Sequence, residues 1–176
     1  MENRILSEII NKKPLKYVQN NRFMQETHAF GNFVPRNAKY LILGSFTVKQ
    51  AVKGNAAYDE SYDWFYSSKR NQFWPILEAV YGLKLDTKLS KQKLFSGLGI
   101  AMADIILQCE RKEDNNLDNN LMNFVYNTDA IAEILDKDNI QKIFFTSRFV
   151  EKEFTKAFKE VIDHHQNTEL VTLPSP

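Results

Sequence analysis

Four short apolar runs, each separated from the next by a stretch with helical spacing, constrain this fold more than anything else in the sequence. The runs are Lys39-Tyr40-Leu41-Ile42-Leu43-Gly44, Gly99 to Ile106, Ile140 to Phe145, and Leu170 to Leu173. A short, continuously apolar run bounded by turn residues reads as a strand buried on both faces. Between the first two runs, Phe73, Ile76, Leu77 and Val80 recur at i, i+3, i+4 and i+7, the stripe of an amphipathic helix. Pro75 falls in its first turn, where a missing donor costs little, and Gly82 lies just past its end. A shorter helix is expected from about Ser90 to Ser96. Thr128 is placed to cap a helix carrying Ile131, Ile134 and Leu135, and Ser147 to cap one carrying Val150, Phe154, Ala157, Phe158 and Val161.

Strands that alternate with helices give a parallel sheet with helices on both faces. Such crossovers are almost always right-handed. The expected architecture is therefore a three-layer α/β/α domain around a central, mostly parallel four-stranded sheet. Its 176 residues suit a single domain. Residues 1–27 are expected as a helical extension, because Ile5, Leu6, Ile9 and Ile10 share one stripe. The polar stretch Glu110 to Asn120 reads as a long surface loop, and Lys53 to Lys69 as a second irregular stretch.

Composition excludes several classes. At 43% hydrophobic and 12% aromatic residues, the chain can fill one core and is not disordered. One cysteine, Cys109, rules out an internal disulfide and any all-cysteine metal site, and fits a reducing cytoplasm. Cys109 itself reads as a small buried residue. Met1 to Pro14 lacks the apolar core of a signal peptide, and no run approaches the roughly 18–20 apolar residues that span a bilayer. The expectation is a cytoplasmic monomer that needs no membrane and no cofactor. A net charge of +1 announces no strongly basic face. There is no phosphate loop, dinucleotide fingerprint or Gly-x-Ser-x-Gly element. His164 and His165 are adjacent, so they point to different faces of a helix and read as a solvated pair. His28 alone reads as structural.

In sheets of this kind ligands bind beyond the carboxyl ends of the strands. Gly44-Ser45-Phe46-Thr47 follows the first strand: Gly44 lets backbone approach a ligand and Phe46 offers a stacking face, or the segment is an ordinary turn. Thr146-Ser147-Arg148 follows the third: it reads a flat polar ligand, or caps a helix. Leu173-Pro174-Ser175-Pro176 follows the fourth, a stiff loop suited to pressing on a rigid partner, or a frayed terminus. The chain stops inside this loop without a final helix, which suggests a C-terminus cut within the motif. Asp104 ends a buried strand, where it either activates water or anchors a loop. Phe65 to Trp74 is the richest segment. In it Arg70 and Asn71 stand at a helix start, and Asn71 either holds a water by its amide or caps the helix.

Four of these stretches, in order, carry a resemblance. They are Leu41 to Phe46; Arg70-Asn71-Gln72-Phe73-Trp74-Pro75; Gly99 to Ile106 continuing into Cys109-Glu110-Arg111; and Leu173 to Pro176, with His28-Ala29-Phe30 as a lead-in. Together they resemble the uracil-DNA glycosylase superfamily, within it the hypoxanthine/uracil branch, with kinship to the mismatch-specific uracil glycosylases. The likeness spans about residues 28 to 176.

The resemblance implies a monofunctional DNA glycosylase that hydrolyses the N-glycosidic bond of a deaminated base, uracil or hypoxanthine, in base-excision repair. It implies Asn71 as the catalytic residue and a base pocket formed by Gly44, Ser45, Phe46, Tyr66, Thr146 and Ser147. Tyr66 or Phe46 would stack on the extruded base. Arg70, Pro174, Ser175 and Pro176 would contact DNA, with Asp104 as an auxiliary group and no metal. Cleaving such a bond needs stacking, a positioned water and donors to the leaving base. The sequence departs from the branch in four places: Tyr66-Ser67-Ser68-Lys69 stands where the branch has Tyr-Gly-His-Pro, Thr47 where it has Pro, Ser147-Arg148 near a usual Gly, and Gly54 to Trp64 is longer than typical. These changes ring the pocket and motivate a rival reading, a non-catalytic module of the same fold that binds nucleic acid or a nucleobase. A nucleotide-processing hydrolase is a third. The catalytic reading requires the Asn71 amide to face a cleft at the strand tips and not be used up in capping its helix.

Overall fold

The computed structural model describes residues 24–46, 51–54, 58, 60, 62–112 and 117–174. The expected helix around Ile5 to Ile10 lies outside the described residues. Strand β1 is Met24–Thr27 and β2 is Tyr40–Gly44. Helices α1 (Phe73–Tyr81) and α2 (Lys88–Leu98) follow, then β3 (Ile100–Asp104), β4 (Ile106–Arg111), a 3-10 turn at Asp118–Asn120, and β5 (Leu121–Tyr126). Helix α3 (Thr128–Lys137), β6 (Lys142–Phe145), α4 (Arg148–Ala157), α5 (Lys159–His164) and β7 (Glu169–Thr172) complete the order. Among the described residues no helix is long and apolar enough to cross a membrane.

The four apolar runs supply a four-stranded parallel sheet in the order β3-β2-β6-β7. Its register aligns the strand ends: Gly44 pairs with Asp104, Leu43 with Phe145, and Phe145 with Thr172. Because the strands are parallel, all four carboxyl ends emerge on one edge. Successive side chains point to opposite faces. Leu41, Leu43, Ala101, Ala103, Ile143 and Phe145 join Ile131, Ile134, Val150, Phe154 and Phe158 of α3 and α4–α5 in one buried cluster. Ile42, Met102 and Phe144 turn the other way, onto Trp64, Phe65, Trp74 and Phe95 beside α1 and α2. Helices thus cover both faces, as the alternation requires. Ser147 Oγ accepts from the Val150 N–H at 3.3 Å and starts α4, and Gly82, at φ 62°, ends α1.

Several expectations need correction. Residues 24–27, assigned to a helical extension, form strand β1. The single run Gly99 to Ile106 divides at Ile105: β3 stays in the parallel sheet, whereas β4 leaves it for a three-stranded antiparallel sheet, β1-β4-β5. Glu110 to Asn120 is not one surface loop, since Arg111 ends β4 in a buried position and Asp118 opens a half-buried turn. The helix beyond Ser147 breaks at Phe158, whose ring stacks on Phe154 at 4.6 Å. In α1 the buried residue is Trp74, whereas Ile76 and Val80 of the expected stripe are 49% and 69% exposed. Thr128 is the first residue of α3, preceded by Asn127 without a side-chain cap.

The second sheet is fastened by a buried ion pair. Arg111 Nε and Nη2 each donate to a Glu26 oxygen at 2.9 Å, and both side chains are 4% exposed. Burial pushes the neighbouring Cys109 thiol up to about 12, with the Glu26 charge adding to the rise against the opposing Arg111 charge, so it is not a reactive thiolate. Removing one partner of a buried pair leaves an uncompensated charge. Arg111→Ala is expected to lower unfolding free energy by about 3–5 kcal/mol, read in a urea titration.

Candidate active site

The floor of the site is set by Gly44 at the end of β2. A Cβ there would collide with the Asp104 carboxylate and the Tyr66 hydroxyl. Gly44 therefore makes room for two protein side chains, not for a ligand as first expected. Asp104 reaches this point from the adjacent end of β3. Tyr66 reaches it from the 64–67 turn, at φ 56°, a left-handed backbone unusual outside glycine. The Tyr66 hydroxyl donates to Thr146 Oγ1 at 3.0 Å, and Thr146 in turn donates to the Leu43 carbonyl at 3.1 Å. Burial raises the Tyr66 phenol well above its ordinary range, and the Asp104 charge adds to the rise. The hydroxyl is a fixed neutral donor.

The turn that carries Tyr66 is held from below. Lys91 of α2 is 5% exposed; its ammonium donates to Asp63 Oδ1 at 2.8 Å and to Ser67 Oγ at 2.7 Å, and lies 5.6 Å from the centre of the Trp74 ring. Burial alone would raise the Asp63 carboxyl; hydrogen bonds from Lys91 and Ser67, the Lys91 charge and the Lys88 N–H outweigh it and hold the group below the usual range. Ser67 is thus part of a half-buried node.

Behind the floor lies an inner chamber of about 110 Å³, lined by Ser45, Phe46, Tyr62, Tyr66, Asn71, Asp104 and Asp118 among others. That exceeds the roughly 10–15 Å³ one water needs. His28 holds Asp104 in place. The Phe30 and Gly31 N–H groups donate to His28 Nδ1 at 3.3 and 3.2 Å, so the ring proton sits on Nε2, which donates to Asp104 Oδ2 at 2.8 Å. Both side chains are 5% exposed. His28, read as structural, is structural in the sense that it orients a carboxylate.

In front lies an open cleft of about 510 Å³ beyond the ends of β2, β6 and β7. Its polar side is Ser45, Asn71, Asp118, Thr146 and Ser147; its apolar side is Tyr66, Phe73, Ile76, Leu77, Leu173 and Pro174. The two spaces share Ser45, Tyr66, Asn71 and Asp118. Asn71 Oδ1 accepts from the Phe73 N–H at 2.8 Å, in the first turn of α1. The amide therefore does both things the sequence left open: it caps, and it faces the cleft with one lone pair and two N–H donors remaining.

Of the other expected pocket residues, Thr146 and Ser147 line the cleft, but Thr146 is occupied by Tyr66 and Leu43, and Ser147 by the start of α4. Phe46 is 8% exposed and lies in the core beside His28, so the outer cleft gets no stacking face from it. Tyr66 lines the cleft with its ring 4.9 Å from Phe73. Arg70 is exposed and lines neither space. Pro174 lines the cleft; Ser175 and Pro176 lie outside the described residues.

Asp118 is the residue that the sequence did not reveal. Ser45 Oγ donates to its Oδ1 at 2.8 Å. Burial raises its carboxyl above the usual range and the Asp104 charge pushes the same way, against the Ser45 hydrogen bond and the Arg111 charge. Nothing in an Asn-rich polar stretch distinguishes it; only the fold carries it to the strand ends. Among the described residues no group of three or more His, Cys, Asp or Glu is placed to hold a metal ion.

No protein-family model matches the chain, and no curated protein matches it. Among solved structures it is similar to a solution NMR structure of a candidate uracil DNA glycosylase from Methanosarcina acetivorans, with a TM-score of 0.63 and 18% identity over 86% of this chain and 84% of that one. At this identity the likeness shows the fold.

Two outcomes follow from the floor. Gly44→Ala forces Asp104 and Tyr66 apart and is expected to cost about 1–3 kcal/mol, seen as a lowered melting temperature. A carboxyl raised by folding favours the folded state when protonated and loses that contribution as pH rises through its folded value. Asp118→Asn, which keeps an acceptor for Ser45, should therefore melt higher than wild type at neutral pH. The difference should shrink as pH falls into the ordinary carboxylate range, checked by thermal unfolding across pH.

Proposed function

We propose that the protein is a monofunctional DNA glycosylase of the hypoxanthine/uracil type, acting on a deaminated base in base-excision repair. What carries this reading is the two-part cavity at the strand ends: a cleft wide enough for a nucleobase in front, a chamber with room for water and an anchored carboxylate behind, and the Asn71 amide between them. The likeness of fold to a candidate uracil DNA glycosylase supports it.

In this reading an extruded uracil or hypoxanthine enters the cleft, flanked by the Tyr66 and Phe73 rings. Extrusion costs a few kcal/mol and is easiest for bases that pair poorly. Asn71 holds the attacking water with its remaining lone pair. The water oxygen bonds to C1′ of the sugar, the C1′–N bond breaks with its electron pair leaving on the base, and the water proton passes to Asp104. Arg70 and the Leu173–Pro176 loop bear on the DNA backbone. Gly44 acts through the room it gives Asp104.

The test is alkali cleavage of abasic sites after incubation with duplexes holding uracil, hypoxanthine or xanthine. Wild type is expected to cleave. Asp104→Asn and Asn71→Ala should each slow release about 100-fold or more. Asn71→Ala should also destabilise the fold by about 0.5–2 kcal/mol through its lost cap, so its folded fraction is measured alongside. The occupied Asn71 oxygen favours the rival binding module; salt-dependent DNA binding without cleavage at any base would establish that reading instead.

A further inference from the structure

The cavity holds two carboxylates in unlike settings. Asp104 lines only the inner chamber and takes a full N–H donor from His28 at 2.8 Å. Asp118 lines both the chamber and the outer cleft, and among the described residues its carboxylate takes one hydrogen bond, from the neutral Ser45 hydroxyl at 2.8 Å. The charged or titratable groups that bear on Asp118 are Asp104 at the end of β3, Arg111 on β4 and the Tyr66 phenol. A donor on the carboxylate form favours ionisation, whereas a neighbouring negative charge opposes it, so where one site holds two carboxyls the proton stays on the one with the weaker support. Burial and the nearby Asp104 carboxylate, against the Ser45 hydrogen bond and the Arg111 charge, favour the protonated form of Asp118, the one facing the space where a base would lie.

A proton donor at that place suits one kind of leaving group. Uracil departs as a delocalised anion and has no basic ring nitrogen to receive a proton. A deaminated purine has N7, a lone-pair nitrogen whose protonation weakens the C1′–N9 bond. Resting on the glycosylase reading above, we propose that Asp118 is a second catalytic residue, a general acid that protonates N7 of an extruded deaminated purine, so that the site is built for hypoxanthine more than for uracil. The step balances. The Asp118 proton goes to N7, the C1′–N9 pair stays with the purine, and water hydroxyl adds to C1′. The water's other proton goes to Asp104, and solvent returns Asp104 and Asp118 to their starting states.

The full chain is assayed on duplexes holding hypoxanthine, uracil or 7-deazahypoxanthine across pH, with Asp118→Asn beside wild type and the folded fraction of each checked by thermal unfolding. Wild type should release hypoxanthine faster than uracil, and the hypoxanthine rate should fall as pH rises through the Asp118 titration. Asp118→Asn should slow hypoxanthine release about 100-fold, flatten that limb, and slow uracil release roughly ten times less. The 7-deaza base, which has no N7 lone pair, should be released slowly by wild type with little further loss in the variant, a readout that survives even if the variant folds poorly. Equal losses on hypoxanthine and uracil, an unchanged pH limb, release of uracil alone, or rapid release of the 7-deaza base would overturn the acid role and leave the glycosylase reading standing. Release of no base at all would overturn both.

Discussion

The missing side chain at Gly44 is the constraint from which the rest of the site follows. Two groups from separate parts of the chain, the Asp104 carboxylate and the Tyr66 hydroxyl, converge on the space a Cβ would fill. Tyr66 reaches it with a left-handed backbone, a conformation that costs on the order of 1–3 kcal/mol and persists where the surroundings over-determine it. Those surroundings are visible: the Tyr66–Thr146–Leu43 chain above, and the Lys91–Asp63–Ser67 node below. The strained turn, the buried lysine and the dipeptide Gly44-Ser45 are thus parts of one arrangement, and each makes sense only with the others.

Parallel pairing does the remaining alignment. Because Gly44, Asp104, Phe145 and Thr172 stand at matching ends of paired strands, Asp104 itself and the residues after the other three, Ser45, Thr146 and Leu173, meet at one cavity without any long-range device to gather them. This is why so much was legible beforehand. The apolar runs announced the parallel strands, and strand-end logic led to Ser45, Thr146, Ser147 and Pro174, all of which line the cleft. The Arg70-to-Trp74 segment led to Asn71, which lines it too.

What escaped the reading escaped for physical reasons. β1, β4 and β5 form an antiparallel sheet whose strands are half-exposed; β1 and β4 carry Gln, Glu and Arg, and Asn123 interrupts the apolar residues of β5, so no unbroken apolar run marks them. Arg111 looked solvated because its partner, Glu26, lies far away in sequence. The role of His28 was hidden because it depends on meeting Asp104 across the fold. The exposed Ile76 and Val80 show the converse: a helical stripe reports amphipathicity, but Trp74, off that stripe, is what α1 buries.

The two carboxylates of the cavity ride on different sheets. Asp104 terminates a strand of the parallel sheet, whereas Asp118 belongs to the connection between β4 and β5 of the antiparallel one. Insertions or deletions between Arg111 and Asp118 can therefore reposition one acidic group while leaving the other, with its histidine, untouched. A fold arranged in this way gives natural variation a separate handle on each carboxylate.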